Sequence, residues 1–298
     1  MQSNQSEFDG IWTALVTPFK GDGLIDLEAW DALLARQGDA GIKGVVVCGT
    51  TGESPTLTVQ EKLSLIRRAK AQEGHRLKIM AGTGGQSTSQ SIELSKLAMD
   101  AGADSLLVVT PPYNKPNQSG MLAHFKGICE AVNLPVCLYH VPGRTGQKLS
   151  PSELADICRL DGVKVVKEAS ADLELFSSAK RISHADYLSG DDPTFLASLA
   201  LGGRGCISVI SNIFPGAMQA LFEAFMKGNH ELALKYHESL LPAMQVMFCE
   251  SNPAPLKAAL ATMGLCRNVL RLPLASVQES SQKKIDDLVA QAGEQLPL

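Results

Sequence analysis

The sequence predicts an α/β protein, a (β/α)8 TIM barrel with a C-terminal helical domain, and three observations carry that prediction. Short β-branched runs alternate with longer segments of helical periodicity. Eight such strand–helix units occupy about 220 residues, close to the roughly 250 typical of this barrel. From about His230 the chain changes character, with amphipathic helices and no further strand candidate. The expected division is therefore 1–229 for the barrel that carries the active site and 230–298 for the helical domain, with no linker composition between them.

The first strand is expected at Ile11–Val16, stopped by Thr17-Pro18. Asp26 then caps a helix whose apolar stripe is Leu27, Trp30, Leu33 and Leu34, ending near Gly38 and Gly41. Gly44–Cys48 is the second strand and runs into Gly49-Thr50-Thr51-Gly52-Glu53; Thr58 and Glu61 form a capping box for the next helix. The third strand, Leu77–Ala81, ends in Gly82-Thr83-Gly84-Gly85, which matches neither phosphate-binding fingerprint and is expected to be a turn of close backbone approach. A helix follows over Ser87–Ala101. Ser105–Val109 is the fourth strand, leading through Thr110-Pro111-Pro112-Tyr113 to a helix near Gly120–Val132. Val136–Tyr139 is the fifth, followed by Val141-Pro142-Gly143-Arg144-Thr145-Gly146 and a helix opening at Ser150-Pro151, with proline in its first turn. The sixth strand lies in Gly162–Ser170, the short seventh is Tyr187-Leu188, and the eighth is Cys206–Ile210. Helices at Glu231–Phe248, Pro255–Met263 and Val277–Ala292 complete the chain.

Composition narrows the function. With 298 residues and 45% hydrophobic content the chain can bury a large core, and no apolar run is long enough to span a membrane. The start, Met1 to Glu7, has neither a basic nor an apolar segment of the kind that directs export, so a cytoplasmic location is expected. A net charge of −4 with mixed signs, and no basic cluster interleaved with aromatics, argues against nucleic acid or an anionic membrane as partner. The seven cysteines are scattered without a Cys-x-x-Cys spacing and are expected to be reduced core residues. No pair among the six histidines has metal-ligand spacing, so no bound metal is expected.

The most informative stretch is the sixth strand, Val163-Lys164-Val165-Val166-Lys167-Glu168. A period of two places Val163, Val165 and Lys167 on one face and Lys164, Val166 and Glu168 on the other. An ammonium on an apolar face is disfavoured by desolvation, so its pKa falls and the neutral amine becomes a nucleophile toward carbonyl carbon. The competing reading is a lysine that reaches solvent or pairs with Glu168, since buried lysines are rare.

What surrounds Lys167 decides between these. In such a barrel the active site lies at the C-terminal ends of the strands, so the polar strand ends converge on one face. Thr50 and Thr51, flanked by glycines, form a candidate carboxylate cradle. Tyr139, one β position from its turn and on the face of Cys137, can move protons beside the Lys167 amine. Arg144, in a Pro-Gly-Arg-Thr-Gly turn at the rim, has the fork geometry for a carboxylate. Gly190 marks the end of the seventh strand.

The chain resembles, over nearly its whole length, the dihydrodipicolinate synthase / N-acetylneuraminate lyase family of pyruvate-dependent class I aldolases. The motifs that carry the resemblance are Gly49-Thr50-Thr51-Gly52-Glu53-Ser54, Tyr139-His140-Val141-Pro142-Gly143-Arg144-Thr145-Gly146, Val166-Lys167-Glu168-Ala169, Leu188-Ser189-Gly190-Asp191-Asp192 and Asn252-Pro253-x-Pro255-x-Lys257. The resemblance implies that Lys167 forms an imine with pyruvate and that Thr50 and Thr51 hold the pyruvate carboxylate. It implies a proton relay of Thr51, Tyr139 and Tyr113, with Tyr113 delivered into the neighbouring subunit's site. Gly190 and Ile207 would line the pyruvate pocket, and Arg144 would bind the carboxylate of L-aspartate 4-semialdehyde, the mark of the synthase branch. A homotetramer built as a dimer of dimers is implied, and no cofactor.

The sequence departs from the family pattern at His140, where asparagine is frequent, and at Pro112, where a tyrosine often precedes Tyr113. The positions matching the family's lysine-inhibitor site are Val59, Lys62, Gln86, Gln90 and Pro112, and an added cation with a lost carboxylate predicts weak or absent inhibition by lysine. The rival readings are an aldolase or lyase for a sialic or keto-deoxy sugar acid, disfavoured by Arg144, and a non-catalytic carboxylate-binding barrel, in which Lys167 would titrate normally. A phosphate-handling isomerase is disfavoured because Gly202-Gly203-Arg204-Gly205 precedes the eighth strand and so lies at the opposite face.

Overall fold

Eight parallel strands close into a barrel in which each pairs with the next in sequence and the eighth returns to the first. This is a computed structural model, and it describes residues 6–295, with side chains to 291. The order is β1 (Gly10–Ala14), α1 (Leu27–Asp39), β2 (Gly44–Val47), α2 (Val59–Glu73), β3 (Lys78–Gly82), α3 (Thr88–Asp100), β4 (Ser105–Val109), α4 (Gln118–Ala131), β5 (Val136–His140), the single turn α5 (Pro142–Thr145), α6 (Pro151–Cys158), β6 (Val163–Glu168), α7 (Leu173–Ile182), β7 (Asp186–Ser189), α8 (Phe195–Ala200), β8 (Gly205–Ser208), α9 (Pro215–Met226), α10 (His230–Val246), α11 (Ala254–Thr262) and α12 (Glu279–Gln295). The fold class is the one the strand–helix alternation predicts.

The helix starts are set by local chemistry. Asp26 accepts from the Ala29 N–H, Ser87 from Gln90, and both Thr58–Glu61 and Ser150–Glu153 form complete capping boxes. Apolar residues separate into two layers. Trp12, Val46, Met80, Leu107, Cys137, Val165, Leu188 and Ile207 fill the barrel interior, while the outward strand faces pack on the helices.

Three expectations are corrected. Val163 does not share the interior face with Val165 and Lys167: β5 and β6 pair Val136 with Val163 but Cys137 with Val165, so Lys164 is an extra residue that turns Val163 into the outer layer. The eighth strand stops at Ser208 rather than Ile210, because the Val209 and Ile210 N–H groups donate to the buried Asp192 carboxylate at 2.9 and 3.0 Å instead of to a strand. The second ends at Val47 rather than Cys48, whose φ of +58° turns the chain out of the ladder.

Beyond the barrel, α9 packs on β1 and α10 on α9, while α11 and α12 pack together. A buried ion pair ties these C-terminal helices to the loop after β2. Lys257, at the centre of α11, is fully buried and pairs with the equally buried Glu53, donates to the Val269 carbonyl at 2.8 Å, and lies 4.0 Å from the Phe19 ring centroid. The Arg271 backbone N–H donates to the other Glu53 oxygen at 3.0 Å. Burial draws the Lys257 ammonium below its ordinary value, against the opposing pull of the Glu53 carboxylate. Among the described residues no helix is long and apolar enough to cross a membrane.

Candidate active site

β5 and β6 align Tyr139 directly with Lys167 and His140 with Glu168. That register, together with the strand alternation, settles where four polar side chains point. Lys167 is 5% exposed, and its Nζ lies 4.3 Å from the centroid of the Tyr139 ring. Glu168, on the outer face, does not pair with it. One Glu168 oxygen instead accepts from His140 Nδ1 at 2.8 Å and from the Ser170 N–H at 3.0 Å. His140 Nε2 accepts from the Leu149 N–H at 3.1 Å, so the ring proton resides on Nδ1 and is donated to the carboxylate. The departure at His140 therefore places a buried clamp behind the site, joining β5, β6 and the approach to α6. The same alignment that brings Tyr139 to Lys167 implies this pair, which the sequence reading did not draw.

The thiols nearby are poor competitors as nucleophiles. Cys137, in the barrel interior two residues before Tyr139, is pushed up to about 12 by burial, against the opposing pull of Lys167, and burial takes Cys48 to about 12 as well. Among the described residues no three histidine, cysteine or acidic side chains come together in a way that could hold a metal ion.

Gly190 follows β7 and closes on the lysine from the other side. A Cβ added there would lie 2.6 Å from Ala169 Cβ and 2.9 Å from Cγ and Cε of Lys167, so only glycine leaves room for the lysine stem. Ile207 faces the same interior from β8, opposite Trp12 in the ladder. The turn after β3 is one of close backbone approach, as expected, since a Cβ at Gly84 would meet the Val109 nitrogen at 2.3 Å.

Above this interior opens a cleft of about 560 Å³ whose lining includes Thr50, Tyr139 and Arg144. The positions considered for lysine binding, Lys62, Gln86, Gln90 and Pro112, line the same cleft. Val59, Lys62 and Gln90 also border a smaller adjoining one. Burial draws the half-buried Lys62 ammonium below its ordinary pKa. Thr51 is buried, and its Oγ1 accepts from Asn252 Nδ2 at 2.9 Å. The Arg144 guanidinium donates to the Asn252 carbonyl at 3.1 Å. Tyr113 stands apart from the other sequence-derived candidates: with φ of +71° and 86% exposure, it points to solvent and does not line the cleft that Tyr139 borders in its own chain. Asn252 and the Glu53–Lys257 pair stood out in the sequence only as parts of motifs, because nothing local reveals what residues so far apart will touch.

The arrangement is one amine on an apolar interior, a phenol beside it, a hydroxyl-bearing loop and a guanidinium at the rim. It suits carbonyl chemistry on a small acid. The dihydrodipicolinate synthetase family, as a sequence model, matches residues 7–292. A 4-hydroxy-tetrahydrodipicolinate synthase of Moorella thermoacetica is 42% identical over 285 residues, covering 95% of this chain and 98% of its own. The crystal structure of a dihydrodipicolinate synthase from Thermotoga maritima is 37% identical with a TM-score of 0.94, covering 97% of this chain and 99% of that one. A chloride-inhibited dihydrodipicolinate synthase from Acinetobacter baumannii, solved with pyruvate, is 36% identical with a TM-score of 0.93, over 96% and 99% of the two chains. Family match and near full-length similarity agree with the site, and the chain belongs to the dihydrodipicolinate synthetase family.

Proposed function

We propose that this chain condenses pyruvate with L-aspartate 4-semialdehyde to form 4-hydroxy-tetrahydrodipicolinate, in the biosynthesis of diaminopimelate and lysine. The observation that carries the reading is a buried Lys167 set against the ring of Tyr139, which lines a cleft that also has Arg144 in its wall. Lys167 adds as the neutral amine to the pyruvate ketone, giving a carbinolamine that loses water to form an imine. Tyr139 and Thr51 pass the protons, with Tyr113 supplied by a second copy of the chain, a role that its exposure in its own chain favours. Thr50 and Thr51 hold the pyruvate carboxylate, with Gly190 and Ile207 bounding the pocket.

Loss of a proton from the methyl carbon gives an enamine, with the imine as electron sink, so the reaction as proposed requires no cofactor. The enamine carbon attacks the aldehyde while Arg144 holds the semialdehyde carboxylate. The alkoxide so formed takes up a proton to become the new hydroxyl, and the substrate's own amino group then adds to the imine carbon and expels the Lys167 amine, closing the ring. Assembly as a homotetramer, a dimer of dimers, completes the proposal, since each site then receives the partner's phenol. The division into a barrel of 1–229 and a helical domain of 230–298 belongs to it too.

The test is pyruvate consumption with L-aspartate 4-semialdehyde, run beside N-acetylmannosamine and beside Lys167→Ala. Turnover with the semialdehyde alone, lost in the variant, is expected. Turnover with the sugar instead would move the chain to the sialate branch and remove the role given to Arg144.

A further inference from the structure

Asn252 is 5% exposed and reaches the site from the segment between α10 and α11. Its two ends do different things. The side-chain Nδ2 donates to Thr51 Oγ1 at 2.9 Å, and the backbone carbonyl accepts from Arg144 at 3.1 Å. Asn252 Oδ1 is buried without a protein partner, so nothing else among the described residues anchors the amide head. Nor is the segment free to drift from Thr51. Two residues beyond Thr51 the Glu53 carboxylate is gripped by Lys257, five residues beyond Asn252.

A hydroxyl has one proton and two acceptor sites, whereas an amide nitrogen only donates. With Nδ2 aimed at Oγ1, the Thr51 proton cannot be spent on Asn252 and is left for another acceptor. We propose that Asn252 is a positioning residue that directs the Thr51 O–H away from the C-terminal segment and toward the reacting acid, and so makes that segment part of the pyruvate half of the site. The inference rests on the pyruvate reading above. It assigns the two halves of the site to two different atoms of one residue. The Asn252 side chain serves pyruvate through Thr51. Its backbone carbonyl seats the arginine assigned to the second substrate, and a side-chain substitution leaves that carbonyl in place.

The experiment uses the full chain and pyruvate alone, trapping the imine with cyanoborohydride and following intact mass, beside the steady-state KM for each substrate. Asn252→Asp keeps the shape but turns the donor into an acceptor that captures the Thr51 proton. It is expected to slow trapping by about tenfold or more. Asn252→Ala, which removes the donor without adding an acceptor, is expected to slow it less. The semialdehyde KM should stay within about twofold in both, because Arg144 binds the main chain. In a Thr51→Val background, Asn252→Asp should cost nothing further.

Trapping by Asn252→Asp at the wild-type rate would overturn the proposal. So would an additive double variant, or equal rises in both KM values, which would mark a purely structural role. Absence of the pyruvate adduct in the wild-type protein would overturn the pyruvate reading itself, and this inference with it.

Discussion

Lys167 Nζ sits 4.3 Å from the centre of the Tyr139 ring, its neighbour across the β5–β6 ladder, with no carboxylate paired to it among the described residues. The phenol ring thus shields the amine at close range, and the nearby acid, Glu168, is held on the opposite strand face by His140.

Separating the ring from its hydroxyl tests what Tyr139 contributes. Tyr139→Phe keeps the face that covers Lys167 and removes only the proton carrier. Turnover is expected to fall by about 10²-fold or more, within the usual range for a general acid or base. The imine should still form slowly, visible as a borohydride-trapped mass increase with pyruvate. An unchanged kcat would remove Tyr139 from the proton relay.

Gly190→Ala places a methyl group 2.9 Å from two carbons of the Lys167 side chain and 2.6 Å from Ala169 Cβ. Something must move, and the lysine stem is the flexible party. A displacement near 1 Å can cost on the order of 10² in rate. We expect that loss in kcat/KM, alongside destabilisation of about 1–3 kcal/mol by overpacking. Wild-type rates in the variant would show that the lysine has more room than its contacts indicate.

The acid limb of stability should report on Glu61. Hydrogen bonding from Arg271 lowers its carboxyl from 4.5 to about 2, and Thr58 adds to this. A carboxyl whose pKa is lower folded than unfolded adds stability in full above the unfolded value, near pH 4.5, and loses it as pH falls toward 2. Glu61→Gln should therefore lower the melting temperature at pH 7 and converge with the wild type near pH 2. Both side chains reach solvent, so the difference should shrink in high salt. Parallel pH profiles for the two proteins would contradict this account.

Lysine should inhibit weakly or not at all. Lys62 brings an ammonium into the cleft that Gln86, Gln90 and Pro112 line, with no carboxylate paired to it among the described residues. A second ammonium there meets like charge rather than a counter-ion. Activity assayed across millimolar lysine should be flat, and a midpoint in the low-millimolar range or below would contradict the prediction.

The barrel was legible in the sequence because its signals are local. Asp26, Thr58, Ser87 and Ser150 cap helices through residues three positions away, and apolar periodicity marks each strand and helix within a few residues. Lys167 and Tyr139 were legible for a related reason: both sit near the ends of successive strands, and a parallel barrel brings successive strand ends together.

Other features were decided only when the chain closed on itself. The extra residue Lys164 reversed the side taken by Val163, and Asp192 ended β8 by taking two N–H groups that a strand would have used. Asn252 meets Thr51 across 201 positions, and Lys257 meets Glu53 across 204. Periodicity and capping act over a few residues and are written in the local pattern of side chains. A hydrogen bond or buried charge pair between distant segments depends on where the packed barrel leaves each backbone, so the tertiary structure alone decided which atoms of the C-terminal segment would reach the site.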